Sequence, residues 1–306
     1  MKIETIKSNF KLHMLTKTLF SIIGLCGFVL FSQENRQDER KSKPEIFLVG
    51  TIHSMHFNPD YNYSIIDLQS QISALKPDFV CGEIVPEAFD QPMEGYFPPE
   101  AAFLAEMATT LNYSFVPVDW RLDYATQSKA ESEYPLFIKE QVKSMSDTMW
   151  NLIRESNSQS IYDFIHGNLH LQMTDSLYER IIGVNSIAEL ASGNWHERNR
   201  KIVENTLKAS KAKNANRIVI VLGIDHLPQI RRQLIDLGFE PQIPKRLFVP
   251  EKNSKVSDAV LARWKRNLEF LKLIRDKKIP ISDDNYQKVI NSKRIPDLEL
   301  AIQKSS

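Results

Sequence analysis

Two distant segments of the chain share one form: an apolar run, a glycine, two further residues and a histidine. They are Leu48-Val49-Gly50-Thr51-Ile52-His53 and Val221-Leu222-Gly223-Ile224-Asp225-His226. Glu83 ends another apolar run, and Asp119 with Arg121 follows a third. Two imidazoles and a carboxylate suit a divalent transition metal that keeps open positions to activate water or polarise a carbonyl. Without metal, one histidine serves as general base while an arginine stabilises an oxyanion. Both routes are open to His53, Glu83 and His226.

Each residue also has an ordinary structural role. A lone histidine after a strand is commonly a capping or core group, and it is the repetition of the motif that argues for a shared site. Asp119 has turn capping as its alternative, and Arg121 a surface ion pair. His56 lies at chelating distance in sequence from His53, but Phe57-Asn58-Pro59-Asp60 reads as a loop, so His56 is expected at the rim. His166, His170 and His196 show no supporting carboxylate pattern and read as solvated or structural. Ser54 and Ser64 lack a strained glycine-flanked elbow, and Cys81 sits within a strand-like run, which disfavours nucleophilic catalysis.

These side chains need an α/β scaffold to meet. Glu45–Gly50, Asp78–Ile84, Ser114–Asp119 and Arg217–Gly223 read as strands, the first buried on both faces because it is almost continuously apolar. Between them, Ser64 can cap a helix through Leu75, and Pro99 can open one through Leu111. Trp195–Ser210 and Leu227–Leu237 follow as helices, the last ended by Gly238. In open α/β sheets ligands bind beyond the carboxyl ends of strands, where a glycine allows a sharp turn into the crevice. The fold class expected is α/β, a mostly parallel or mixed sheet flanked by helices. A helical cap is expected over 128–190, proline-broken edge strands over Phe239–Phe248, and a C-terminal helical extension over 251–306 packed on the same domain, its amphipathic stretch Ser257–Leu273 on the outside.

The chain has 306 residues, 42% of them hydrophobic and 25% charged, enough for one large core. Lysine plus arginine total 39 against 38 acids, a net +1 that gives no global pull toward nucleic acid. Lys2, Lys7, Lys11 and Lys17 precede an apolar stretch from Leu19 to Phe31. A basic region before roughly 7–15 apolar residues is the form of a secretory signal, whereas a spanning helix wants roughly 20. Residues 1–33 therefore read as a leader and 34–44 as a linker, with a periplasmic or secreted destination expected. Retention of the leader as a membrane anchor is the alternative, and Ile23-Gly24-Leu25 is a poor lipidation signal before Cys26. Leader removal would leave Cys81 as the one cysteine, which excludes an intramolecular disulfide and thiolate metal clusters.

From about Glu45 to Phe248 the chain resembles the TraB, GumN and Tiki superfamily, whose wider relatives include erythromycin esterase and ChaN-like proteins. The resemblance rests on the two glycine-x-x-histidine segments, on Glu83 after Asp78-Phe79-Val80, on Asp119-Trp120-Arg121, and on Glu197-Arg198-Asn199 before a helix. It implies that His53 and His226 are the paired histidines, Glu83 the essential acid, and Arg198 the arginine one helix before the second motif. It also implies a central mixed sheet and a metal-dependent hydrolase, with manganese or cobalt the ions of the Tiki branch. Many members place arginine directly after the aspartate, whereas Trp120 intervenes here before Arg121.

The reading that follows is an exported hydrolase, metal-dependent or His/Glu-based, cleaving a peptide or small-molecule ester, with Glu83, Asp119, Arg121 and Arg198 as catalytic candidates. The alternative is a non-catalytic protein holding metal, haem or a small ligand in the same crevice. A third reading gives the helical segment a partner-binding role.

Overall fold

The computed structural model of the protein describes residues 43–251, 254–280 and 284–306. The expected leader, Cys26 and nearly all of the linker lie outside them. Four strands form one all-parallel sheet in the order β1-β4-β2-β3: β1 (Glu45–Thr51), β2 (Phe79–Gly82), β3 (Ser114–Pro117) and β4 (Arg217–Gly223). The outer register pairs Gly50 with Leu222 and Thr51 with Gly223, so the two histidine motifs leave the sheet side by side.

Helix α1 (Ile65–Leu75) begins at Ser64 with the expected cap, in which the Ser64 hydroxyl accepts from the Asp67 amide and the Asp67 carboxylate accepts from the Ser64 amide. Pro99 opens α2 (Pro99–Met107), which stops a turn earlier than the apolar pattern suggests. An unbroken helical segment without strands follows: α3 (Tyr124–Glu133), α4 (Leu136–Ser156), α5 (Ile161–Ile165), α6 (Asn168–Asp175), a π-helical stretch Ser176–Ile182 and α7 (Ile187–Ala191). Then come α8 (Trp195–Lys213) and α9 (Leu227–Asp236), with Gly238 at φ 77° ending the turn.

The sheet is buried on both faces. On one, Val49, Val80, Val219 and Val221 pack with Leu68 and Ile72 of α1 and Phe103 of α2. On the other, Ile46, Leu48, Ile218 and Ile220 pack with Ile202 of α8 and Ile230 of α9. Helices after β1 and β2 thus cover one face and the helix after β4 covers the opposite one, which opens a crevice at the carboxyl ends beside β4.

One expectation fails. Phe239–Phe248 supplies no edge strands, only a parallel bridge between Phe47 and Gln242, because Pro241 and Pro244 remove the donors a ladder needs. The C-terminal stretch is amphipathic and packs on the outside of the core as expected, with one face of its first helix buried and the other exposed. Helix α10 (Asp258–Arg275) buries Trp264 completely, with its indole N–H donating to the Pro99 carbonyl at 3.0 Å and its ring edge-on to Phe57. Helix α11 (Asp284–Val289), a π-helical turn Ile290–Arg294 and α12 (Ile295–Ser305) complete the chain. Among the described residues no helix is long and apolar enough to cross a membrane.

Trp264→Ala should therefore lower the unfolding free energy by about 3–5 kcal/mol. Urea denaturation checks this, and a loss no larger than that of an exposed substitution would mean that α10 is dispensable.

Candidate functional site

His53 follows β1 as the first residue of a short 3-10 turn, His53–Phe57, and its φ of 52° lies in the left-handed region. A non-glycine residue held there costs about 1–3 kcal/mol and often marks a functional position. The sharp turn is made by His53 itself. Neither Gly50 nor Gly223 has left-handed backbone; both are required for space instead. A Cβ on Gly223 would lie 2.6 Å from His53 Nε2, and one on Gly50 would lie 2.9 Å from the Ile224 and Leu227 side chains. Each motif's glycine is the hollow into which the other motif fits.

The His53 ring is fixed by Glu100, in the first turn of α2. Its carboxylate oxygen stands 2.7 Å from His53 Nδ1 and also accepts from the Thr51 hydroxyl at 2.8 Å. A carboxylate can only accept here, so Nδ1 carries the proton and Nε2 turns its lone pair toward Gly223. Burial pulls the His53 imidazole down, but the charge and hydrogen bond of Glu100, with Glu83 behind them, carry it above its ordinary 6.5. Burial likewise pushes Glu100 up, and His53 more than offsets it, leaving the carboxyl below its usual range. Sequence reasoning missed Glu100. The available signal was an acidic residue in the first turn of the otherwise apolar Pro99-Glu100-Ala101-Ala102-Phe103-Leu104.

Beside this pair lies a closed set of charges. Arg198, from α8, donates through Nε to Asp119 Oδ1 at 2.8 Å and through one terminal nitrogen to Glu83 Oε1 at 2.7 Å and Asp119 Oδ2 at 3.1 Å. Arg121 repeats the pattern from the other side, with Nε to Asp119 at 2.8 Å and a terminal nitrogen to Glu83 at 3.2 Å. The Gly223 amide donates to Glu83 Oε2 at 3.2 Å. Arg198 and both acids are buried, whereas the Arg121 side chain remains 30% exposed. Burial alone would raise Glu83; Arg198 first, then the two histidines and Arg121, hold it well below its usual range. All four residues expected from the sequence are therefore joined, Trp120 notwithstanding.

His226 is treated differently. It is buried, its Nδ1 donates to the Asn199 side-chain oxygen, and Trp195 stacks on it with ring centres 4.1 Å apart. Tyr178 stacks in turn on Trp195 at 4.0 Å. Burial and the nearby Arg198 guanidinium push the imidazole well below 6.5, so His226 is neutral with Nε2 as an acceptor. Asn199, which fixes this tautomer, was in the sequence motif but unassigned.

His53, Glu83, Arg121, Arg198 and His226 line one cavity of about 210 Å³, together with the apolar Met149, Trp150, Ile153 and Leu177 of the helical segment. His170 lines it too, fully buried and with neither ring nitrogen hydrogen-bonded. The remaining histidines among the described residues stand apart. His56 is not a rim residue: it is buried, donates from Nδ1 to the Tyr63 carbonyl and accepts the Ile52 amide at Nε2, and burial takes it to about 4. His166 accepts the Gly50 amide at 2.8 Å, a structural role. His196, expected to lack carboxylates, lies between Glu189 and Glu179 in a separate groove.

His53 and His226 have the buried or partnered Nδ1–H that metal-ligating histidines usually have. Glu83, the third ligand expected, has both oxygens committed to Arg198, Arg121 and the Gly223 amide, with two guanidinium charges opposing a dication. Among the described residues no group of three or more histidine, cysteine, aspartate or glutamate side chains is arranged to hold an ion. The expected three-ligand set does not fit a metal in this arrangement. No family model, curated sequence or solved structure matches the chain.

The charge cage gives a pH signature. With Glu83 below its ordinary 4.5 in the folded state, its contribution is fully present above pH 4.5 and disappears as pH falls through the folded value. Glu83→Gln should lose about 3–5 kcal/mol at neutral pH, and the gap to the unsubstituted protein should narrow as denaturation is repeated from about pH 4.5 downward. A gap unchanged at acid pH would show that Glu83 is not the paired carboxylate.

Proposed function

We propose that the protein is a hydrolase in which the His53–Glu100 pair activates water to cleave an ester or peptide bond. The observation that carries this reading is His53 itself: a histidine on strained backbone, its Nδ1 held by a buried carboxylate at 2.7 Å, its Nε2 free of that carboxylate beside Gly223, and its side chain lining a cavity that guanidinium groups also line.

In this scheme Nε2 of His53 takes a proton as water oxygen bonds to the substrate carbonyl carbon. The Glu100 carboxylate stabilises the imidazolium that results, and its effect on the His53 pKa makes the ring a stronger base. His226, neutral and limited to accepting at Nε2, orients that water by taking its second hydrogen in a hydrogen bond. Negative charge developing on the carbonyl oxygen meets the partly open Arg121 guanidinium, while Arg198 holds Glu83 and Asp119 so that Arg121 is aimed. When the tetrahedral intermediate collapses, the bond to the leaving oxygen or nitrogen breaks and His53 returns its proton to that atom.

The residues that carry the resemblance to the TraB, GumN and Tiki superfamily, His53, Glu83, Arg198 and His226, are all members of this site, which supports membership as part of the same proposal. The basic, then apolar, N-terminal pattern supports an exported location for it.

His53→Ala should reduce kcat/KM by about 10²–10⁴ on whichever chromogenic ester or peptide the protein turns over. The acid limb of the pH profile should lie above 6.5, because the base must be deprotonated, and should move to lower pH in Glu100→Gln as the raising charge is removed. An unmoved limb in that variant would discard the pair as the base.

Activity is also expected to survive exhaustive dialysis against EDTA, because Glu83 is held by cations. Loss of turnover restored by manganese or cobalt would replace this scheme with a metal-bound one in which Glu83 leaves its arginines.

A further inference from the structure

The cavity's charges do not balance once the cage is set aside. Arg198 and Arg121 are matched by Glu83 and Asp119. Two further cations line the same cavity, Lys293 and Arg294, from the π-helical turn between α11 and α12, against one further acid, Asp225, which accepts from the Tyr178 hydroxyl. Neither makes an ion pair among the described residues. Lys293 is exposed, but Arg294 is 8% exposed, and its Nε is buried without a hydrogen-bond partner. Its contact is the Tyr96 ring, 5.2 Å from the guanidinium to the ring centre.

A buried guanidinium with an unmet donor is costly unless something supplies an acceptor. The nearby acids do not meet that need. Asp297 and Glu83 act on Arg294 only at a distance, and Glu83 is already shared by two arginines. Burial first, then the like charge of Arg121, pushes Arg294 below its ordinary value, which describes cations crowded together rather than neutralised. On the hydrolase reading this crowding lies in the substrate's own cavity, which the apolar Met149, Trp150 and Leu177 also line.

We propose that Arg294 and Lys293, together with the open side of Arg121, form a subsite for an anionic oxygen group of the substrate, so that the protein selects esters or peptides bearing a carboxylate or a phosphate near the scissile bond. The planar guanidinium of Arg294, steadied by Tyr96, offers its terminal N–H groups to the oxygens of one group, and the exposed Lys293 adds a point charge. Specificity for that group then comes from the C-terminal extension, which is remote in sequence from both histidine motifs.

Binding can be read without turnover. The purified protein is titrated with sodium succinate and, separately, sodium sulfate at constant ionic strength against sodium chloride, by calorimetry and by the shift in Tm. Saturable binding and a Tm rise above the chloride control are expected with at least one of them, succinate indicating a carboxylate and sulfate a phosphate-like group. Arg294→Gln should weaken it by about tenfold or more. Lys293→Gln, at an exposed position where folding is not in question, should weaken it by about threefold, and carries the test should Arg294→Gln fail to give a folded circular dichroism spectrum. Absence of saturable binding, or equal affinity in the folded variants, overturns the subsite. Succinyl and acetyl esters of one chromogenic alcohol separate the two proposals. Anion binding without hydrolysis of either ester keeps the subsite and removes the hydrolase, whereas hydrolysis without anion binding does the reverse.

Discussion

One buried guanidinium organises the carboxyl edge of this sheet. Arg198 reaches from α8 to Glu83 after β2 and Asp119 after β3, and the Gly223 amide at the end of β4 donates to the same Glu83. Three strand ends and a helix are therefore tied through two carboxylates. Such a set is expensive to desolvate, and replacing it with apolar residues is often neutral or stabilising. What it supplies here is position. Both carboxylates are held by several bonds each and the Arg121 guanidinium is aimed by two, so little reorganisation is left for them to undergo when charge develops nearby.

The same field divides the labour of the two histidines. Their motifs are alike in sequence and adjacent in the sheet, yet their environments push them in opposite directions. His53 is one-third exposed and faces a carboxylate; His226 is buried under Trp195 and faces an amide oxygen with Arg198 behind it. The first is made more basic and the second is kept neutral, the divergence by which a site assigns proton-transfer roles to two groups of one type. The interlocking glycines make this possible, because the close packing that a Cβ at Gly223 would disrupt is the contact that sets Nε2 of His53 against the end of β4.

Much of this edge was legible in the sequence because parallel strands buried on both faces announce themselves as continuous apolar runs, and whatever polar residue ends such a run must lie at the rim. His53, Glu83, Asp119 and His226 were found in that way. Residues that reach the site from helices carry no such sign. Glu100 looks like an ordinary first-turn acid, Asn199 like any polar residue on a charged helix, and the two are distinguished only once tertiary packing turns them inward. The role assigned to the motif glycines was mistaken for a related reason: spacing shows that a glycine is present, but not whether φ or a neighbour's volume demands it.

The C-terminal segment was legible as an amphipathic layer but not as a contributor to the site. Trp264 and its neighbours repeat at a helical period, which indicates one buried face but not which surface covers it. An amphipathic stripe on an outer layer and one completing the core read alike. Here Trp264 closes over Phe57, the last residue of the His53 turn, and α12 also packs against that turn, so the extension buttresses the strained backbone and delivers Arg294 to the cavity. Strain at His53 can be held only where surrounding packing over-determines it, and a share of that packing comes from residues more than two hundred positions away in sequence. The C-terminal extension is therefore part of the site's construction, and the helical cap lines the same cavity.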